Sequence, residues 1–254
     1  MNGLLAGKIA VITGGGRGIG LAMAREMAAQ GAQGLILEVP AVATDTVPPQ
    51  GFEVASADVT VEADLARSFA SAQDMFGRVD IVVANAGIVP PWHTPETIDL
   101  AEWHRVFAVN VGGVAATIKH AVPYMKERGG AIVVTASINA VKAPQRQMAY
   151  TTTKTALIGL VRTAALDLGA YGIRVNAVAP GAVMTDAFRS RIAARAAVGG
   201  AGHDVVEADL KSRSPLGQVA SEEDIAHAAV FLASDWSMRV TGHLLPVDAG
   251  IGIT

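Results

Sequence analysis

The sequence predicts a single α/β domain: a doubly wound parallel sheet of about seven strands with helices on both faces. Three observations carry this prediction. Short apolar segments, β-branched in places, recur along the chain, as strands buried on both faces of a parallel sheet do. Longer segments of helical period lie between them. The two kinds alternate from end to end with no repeat, low-complexity tract or linker, so residues 1–254 form one unit.

Taken in order, the first strand is Lys8–Thr13, followed by a glycine-rich segment and the helix Ile19–Gln30. A second strand, Leu35–Glu38, ends on a carboxylate. The crossover Val39–Phe52 carries Pro40, Pro48 and Pro49. Prolines at that density cannot supply the N–H groups of a helix interior, so a mostly irregular loop is expected. Strand Glu53–Ala57 leads to helix Val61–Phe76, strand Ile81–Ala84 to helix Leu100–Lys126, and strand Ala131–Ala136 to helix Gln147–Ala170. Strand Ile173–Ala179 is followed by Ala182–Gln218, which starts as a helix-like Ala/Arg stretch, passes Gly199, Gly200 and Gly202, and reaches Ser214-Pro215. A long segment with glycine hinges beside a strand end is expected to act as a lid. Helix Glu222–Ser234 and strand His243–Val247 complete the chain.

Composition narrows the function. The chain is 51% hydrophobic and 17% charged, the opposite of a disordered sequence. Its mean hydropathy of +0.37 raises the question of a membrane. The longest stretch without a charge, Ile81–Pro95, contains Asn85, Gly87 and three prolines, so no bilayer span and no membrane partner is expected. Met1–Lys8 lacks the apolar core of a signal peptide. The absence of cysteine excludes disulfides, thiolate zinc sites and Cys nucleophiles, and no metal site is expected. A net charge of −3 without a basic tract argues against nucleic acid as a partner. These features describe a cytoplasmic protein.

Chemistry enters at three places. The first strand runs into Thr13-Gly14-Gly15-Gly16-Arg17-Gly18-Ile19-Gly20 and then into a helix. Glycines there let the backbone approach a pyrophosphate whose charge the helix N-terminus stabilises. The spacing is Gly14-x-x-x-Gly18-x-Gly20, and the common G-x-G-x-x-G pattern is absent. Glu38 ends the second strand close to where dinucleotide folds place an acid on the adenosine ribose, and a carboxylate there repels a 2′-phosphate. This favours NAD over NADP, although Arg17 could pair with that phosphate, and Glu38 also reads as a solvated strand-end carboxylate. Finally, Tyr150 and Lys154 are four apart on a helix and share a face. The ammonium is expected to lower the phenol's pKa so that Tyr150 can shuttle a proton near neutral pH. Ser137 lies at the end of the preceding strand, where it can hold a substrate oxygen, or serve only as a turn residue.

The Thr13–Gly20 loop, Asp58-Val59, Asn85-Ala86-Gly87, Asn110, Ser137, Tyr150-x-x-x-Lys154, and Pro180-Gly181 with Thr185 occur in the order and spacing of one family. The chain thus resembles the short-chain dehydrogenases/reductases over essentially its whole length. The resemblance implies a Rossmann fold that binds NAD, with Gly14, Gly16, Arg17, Gly18, Ile19 and Gly20 around the pyrophosphate. It implies Tyr150 as general acid/base, Lys154 as the residue that lowers its pKa and holds the nicotinamide ribose, Ser137 as substrate-orienting residue and Asn110 as the anchor of a relay water. It further places Asp58 and Val59 at the adenine, Asn85, Ala86 and Gly87 along the cofactor cleft, and Val183 and Thr185 at the carboxamide end of the nicotinamide. On the residues alone, Asp58 also reads as a helix N-cap, Asn85 as a turn former and Asn110 as a helix polar group in need of a partner. The family's usual assembly implies a homotetramer.

Substrate choice should reside in Ile88–His93, Ile138–Gln147 and the lid, which are mostly apolar and include Trp92, Pro144 and Met184. Lys142, Arg146, Arg189 and Arg191 could meet an anion or be solvated. The expected substrate is a small hydrophobic secondary alcohol or ketone. A 3-oxoacyl-carrier-protein reductase is an alternative, weakened because only Arg128 matches the pair of basic docking residues, with Tyr171 at the other position. A non-catalytic NAD sensor is the other, and it would have no need for the Ser137, Tyr150 and Lys154 set.

Overall fold

The computed structural model describes residues 3–254; Met1 and Asn2, the start of the Met1–Lys8 segment, lie outside them. The seven strands are β1 (Ile9–Thr13), β2 (Gln33–Glu38), β3 (Phe52–Ser56), β4 (Ile81–Ala84), β5 (Gly130–Thr135), β6 (Ile173–Pro180) and β7 (Leu244–Val247). They form one parallel sheet in the order β3-β2-β1-β4-β5-β6-β7. Successive side chains on a strand point to opposite faces, and here both faces are buried. Val11, Leu35, Val82 and Ile132 enter the core under α3 (Glu62–Phe76), α5 (Gly113–Met125) and α6 (Met148–Leu168). Ala10, Ile12, Ile36 and Val83 enter the core under α1 (Gly18–Ala29) and α9 (Glu222–Ala233). The doubly wound sheet therefore matches its prediction, with strand ends shifted by a residue or two.

The order reverses between β1 and β4, which diverge in connection and leave a crevice at their carboxyl ends. The Pro-rich crossover is irregular apart from one helical turn, α2 (Pro40–Ala43), which Pro40 can start because its missing N–H would be unpaired there anyway.

The helix expected over Leu100–Lys126 is not continuous. α4 (Leu100–Phe107) passes through one wide π-helical turn, Ala108–Gly112, before α5. Such a turn adds a residue to the helix, and Asn110, fully buried within it, points at the β4 crevice. By length and composition alone, Leu100–Met125 is apolar enough to cross a membrane, although it carries charged residues such as Glu102, Arg105 and Lys119. In the fold its Val106, Val114, Ala121 and Met125 are buried.

The Ala182–Gln218 segment contains two helices, α7 (Asp186–Ala196) and α8 (His203–Arg213), separated by the glycine segment. Thr185 caps α7, its hydroxyl accepting from the Phe188 amide at 3.1 Å.

Candidate active site

The carboxyl edge of β1 sets the first half of the site. Gly14 has φ +63°, and a Cβ there would lie 2.7 Å from the Ala86 Cα. A Cβ on Gly20 would lie 2.1 Å from the Gly14 carbonyl oxygen. Loop, helix and the β4 strand end thus pack backbone to backbone, and only glycine fits. Arg17, the N-cap residue of α1, makes no side-chain cap and the first turn holds no acidic residue, which leaves the helix N-terminus open to an anion. The arrangement suits a pyrophosphate.

A small hydrogen-bond web holds this half together. The Thr13 hydroxyl accepts from the Asn85 and Ala86 amides at 3.1 and 3.2 Å. The Asn85 amide group donates to the Gly14 carbonyl at 2.8 Å, and its carbonyl accepts from the Thr135 hydroxyl at 3.0 Å. Asn85 therefore ties three strand ends together and is more than a turn former. The Glu38 carboxylate is buried, accepting from the Gly16 amide at 3.1 Å and the Val39 amide at 3.0 Å. It is not a solvated strand end, and Gly16 meets it without lining the cleft. Asp58 accepts from the amide and hydroxyl of Thr60, whereas Val61 holds the N-cap position of α3, so the N-cap reading of Asp58 is replaced by a local turn.

Asn110 also lies behind the cleft wall. Its carbonyl accepts from the Ile88 amide at 2.8 Å, and its amide group donates to the Ile88 carbonyl at 2.9 Å and the Thr153 hydroxyl at 3.2 Å. It fastens the segment after β4 to α6. Asn110→Ala leaves these buried groups unpaired and is expected to lower stability by about 3 kcal/mol, measured by urea unfolding. A loss near zero would show that Ile88 finds other partners.

The second half comes from β5 and α6. Ser137 follows β5 and is buried, its hydroxyl accepting from the Asn139 amide at 3.2 Å. Tyr150 and Lys154 stand in the first two turns of α6, with the Lys154 ammonium 5.7 Å from the Tyr150 ring centre. Lys154 is buried and donates to the Thr135 carbonyl at 2.8 Å. Its effect on the phenol differs from expectation. Burial pushes the Tyr150 pKa up, opposed by a hydrogen bond from Ser137 and by the charge of Arg191, not by Lys154. Lys154 is itself lowered to about 8 by burial. Desolvation acts on both members of the pair and opposes charge on either.

The two halves face one cleft of about 1340 Å³. That exceeds the roughly 300 to 1,000 Å³ of an ordinary small-molecule pocket and leaves room for a dinucleotide beside a second molecule. Gly14, Arg17, Gly18, Ile19, Gly20, Glu38, Asp58, Val59, Asn85, Ala86 and Gly87 line it from the first half. Ser137, Tyr150, Lys154, Pro180, Gly181, Val183 and Thr185 line the same cleft, Lys154 close to Gly87 and Thr185 close to Gly18. Two members escaped the sequence reading. Thr135 holds both Asn85 and Lys154, and a threonine at a strand's carboxyl end was its only signal. Arg195 lines the cleft from α7, and its spacing of four from Arg191 could have marked it.

A glycine cradle at the switch point of a doubly wound sheet, sharing one cleft with a serine, tyrosine and lysine, defines a Rossmann-fold oxidoreductase. Residues 14–252 match the family model described as Enoyl-(Acyl carrier protein) reductase. The chain is 38% identical to the cis-4-hydroxycyclohexanecarboxylate dehydrogenase of Sinomonas cyclohexanicum, covering 98% of each chain. It is 35% identical to the L-rhamnose 1-dehydrogenase (NAD(P)(+)) of Azotobacter vinelandii, again covering 98% of each. The crystal structure of carveol dehydrogenase from Mycobacterium avium, in complex with NAD, superposes with a TM-score of 0.90 at 32% identity, covering 99% of this chain and 100% of that one. The chain belongs to the short-chain dehydrogenase/reductase family.

Proposed function

We propose that the protein is an NAD-dependent oxidoreductase that interconverts a secondary alcohol and a ketone on a small or medium hydrophobic molecule, with Tyr150 as general acid/base. The observation that carries this reading is the convergence of Ser137, Tyr150 and Lys154 on the cleft that the glycine cradle opens into. The three relatives support it, each named as a dehydrogenase of a hydroxyl-bearing small molecule.

In this reading the Gly14–Gly20 cradle would hold the pyrophosphate, Glu38 the adenosine ribose, Asp58 and Val59 the adenine, and Lys154 the nicotinamide ribose. Val183 and Thr185 would meet the carboxamide. A bound nicotinamide supplies the hydride acceptor or donor. Ser137 holds the substrate oxygen, and Tyr150 exchanges a proton with it. Because burial raises its pKa, Tyr150 holds its proton at neutral pH and is poised to protonate a forming carbinol oxygen. Lys154, at about 8, keeps most of its charge at pH 7 beside the phenol.

A panel of secondary alcohols and ketones, followed by NADH absorbance, tests the reading. Turnover of members of the panel is expected. Tight NADH binding without turnover across the panel would overturn it in favour of a sensor. The cofactor preference has its own measurement: NAD is expected to bind at least about tenfold tighter than NADP, and Glu38→Ala to erase most of that difference. Equal affinities in the wild type would remove Glu38 as selector. A cytoplasmic homotetramer is part of the same proposal, checked by sedimentation.

A further inference from the structure

The lid carries basic residues whose fates differ. Lys142, on the facing loop, donates to the backbone carbonyls of Ile251 and Thr254. Arg189 donates to the Met184 carbonyl at 3.1 Å and contacts His203. Arg213 pairs with Asp209 at 3.2 Å. Arg146 does not line the main cleft. Arg191 and Arg195 remain. Both are half-buried and line the cleft, one turn apart on α7. Among the described residues neither forms an ion pair with a carboxylate, and the charge of Arg195 acts on Arg191.

Their placement is held from the sides. The Arg191 guanidinium lies 5.5 Å from the Phe188 ring centre, and that of Arg195 lies 4.1 Å from the Trp92 ring centre. Arg195 also donates to the Arg191 carbonyl at 3.2 Å. The Trp92 contact joins the lid to the segment after β4, so the two cations roof the side of the cleft that holds Ser137 and Tyr150. Arg191 and Tyr150 line the same cleft, and the charge of Arg191 pulls the phenol's pKa down against the effect of burial. The acidic residues of the cleft are engaged elsewhere: Glu38 and Asp58 at the opposite end, Asp186 beside Glu222 near Gly18, and Asp209 with Arg213. Half-burying two like charges with no counter-ion is costly unless an anion completes them.

We propose that Arg191 and Arg195 bind a carboxylate borne by the substrate, so that the molecule oxidised or reduced is a hydroxy acid or keto acid with an apolar body. A planar guanidinium matches a carboxylate in a two-point hydrogen bond. This deepens the proposed function and rests on it.

The test compares 3-hydroxybutanoate, 4-hydroxypentanoate and 3-hydroxycyclohexanecarboxylate with their methyl esters. For at least one pair the acid is expected to exceed its ester in kcat/KM by about tenfold or more, chiefly through KM. Arg191→Gln and Arg195→Gln should each bring the ratio toward one, and Arg191→Lys should restore part of it. Esters turned over as well as acids in every pair would overturn the carboxylate site while leaving alcohol oxidation standing. Should none of the six turn over, thermal shifts of the NADH complex decide: stabilisation by acids over esters, lost in Arg191→Gln, supports the site, and equal or absent shifts overturn it.

Discussion

Tyr150→Phe is expected to lower turnover by about 10³-fold while NADH affinity, read by fluorescence, stays within about threefold of the wild type. The substitution removes one oxygen from a half-buried ring and leaves the ring's packing in place, so the loss isolates proton transfer. The environment of the phenol also sets the pH dependence. Burial holds its proton, against the pull of the Ser137 hydrogen bond and the Arg191 charge. Alcohol oxidation needs the phenol to give that proton up first and should accelerate with rising pH, whereas ketone reduction should slow. A Tyr150→Phe variant keeping more than a tenth of wild-type turnover would remove Tyr150 from the acid/base role.

Lys154→Met should change stability and activity in opposite directions. Burial lowers the folded pKa of Lys154 to about 8 from its ordinary 10.5. Below pH 8 both folded and unfolded chains carry the charge, and the folded one bears its full desolvation cost. Between about 8 and 10 the unfolded chain still holds a proton that the folded chain has released, so raising the pH favours folding. The gain over that window is up to about 3 kcal/mol. Above about 10 the raised Tyr150 pKa acts in reverse, because the folded state then keeps a proton that the unfolded state loses. Urea unfolding of the cofactor-free protein from pH 7 to 10 should show the rise in the wild type and a flatter profile in Lys154→Met. The variant should be the more stable at pH 7, yet turn over at least about 100-fold more slowly. A wild-type stability that falls steadily from pH 8 to 10 would contradict the buried-lysine account.

The site was legible wherever local sequence carries its own constraint. The Gly14–Gly20 loop could be read because close backbone approach admits only glycine, and the structure confirms those approaches at Gly14 and Gly20. Tyr150 and Lys154 could be paired because four residues make one helical turn. The proline count of Val39–Phe52 told its irregularity. Other features depend on residues far apart. The wide turn at Ala108–Gly112 adds one residue to a helix, which hydrophobic periodicity hardly registers. The bonds from Asn110 to Ile88 and Thr153 span separations of 22 and 43 residues, so its role as a fastener needed the fold. The sign of the Tyr150 shift is not legible in the sequence, which shows a neighbouring ammonium but not the desolvation that acts on both groups.

What the sequence by itself determined is the doubly wound sheet, the glycine cradle and the identities of Ser137, Tyr150 and Lys154, because periodicity, backbone sterics and helical spacing are local. The tertiary structure alone decided that Glu38 turns inward to Gly16, that Thr135 joins Asn85 to Lys154, and that Arg191 and Arg195 line the cleft while Lys142, Arg189 and Arg213 are spent elsewhere. A charge on a helix reads alike whether it is solvated, paired or aimed into a cleft. Only the packing of α7 against the segment after β4 distinguishes these, because it sets the water and the counter-ions each group meets.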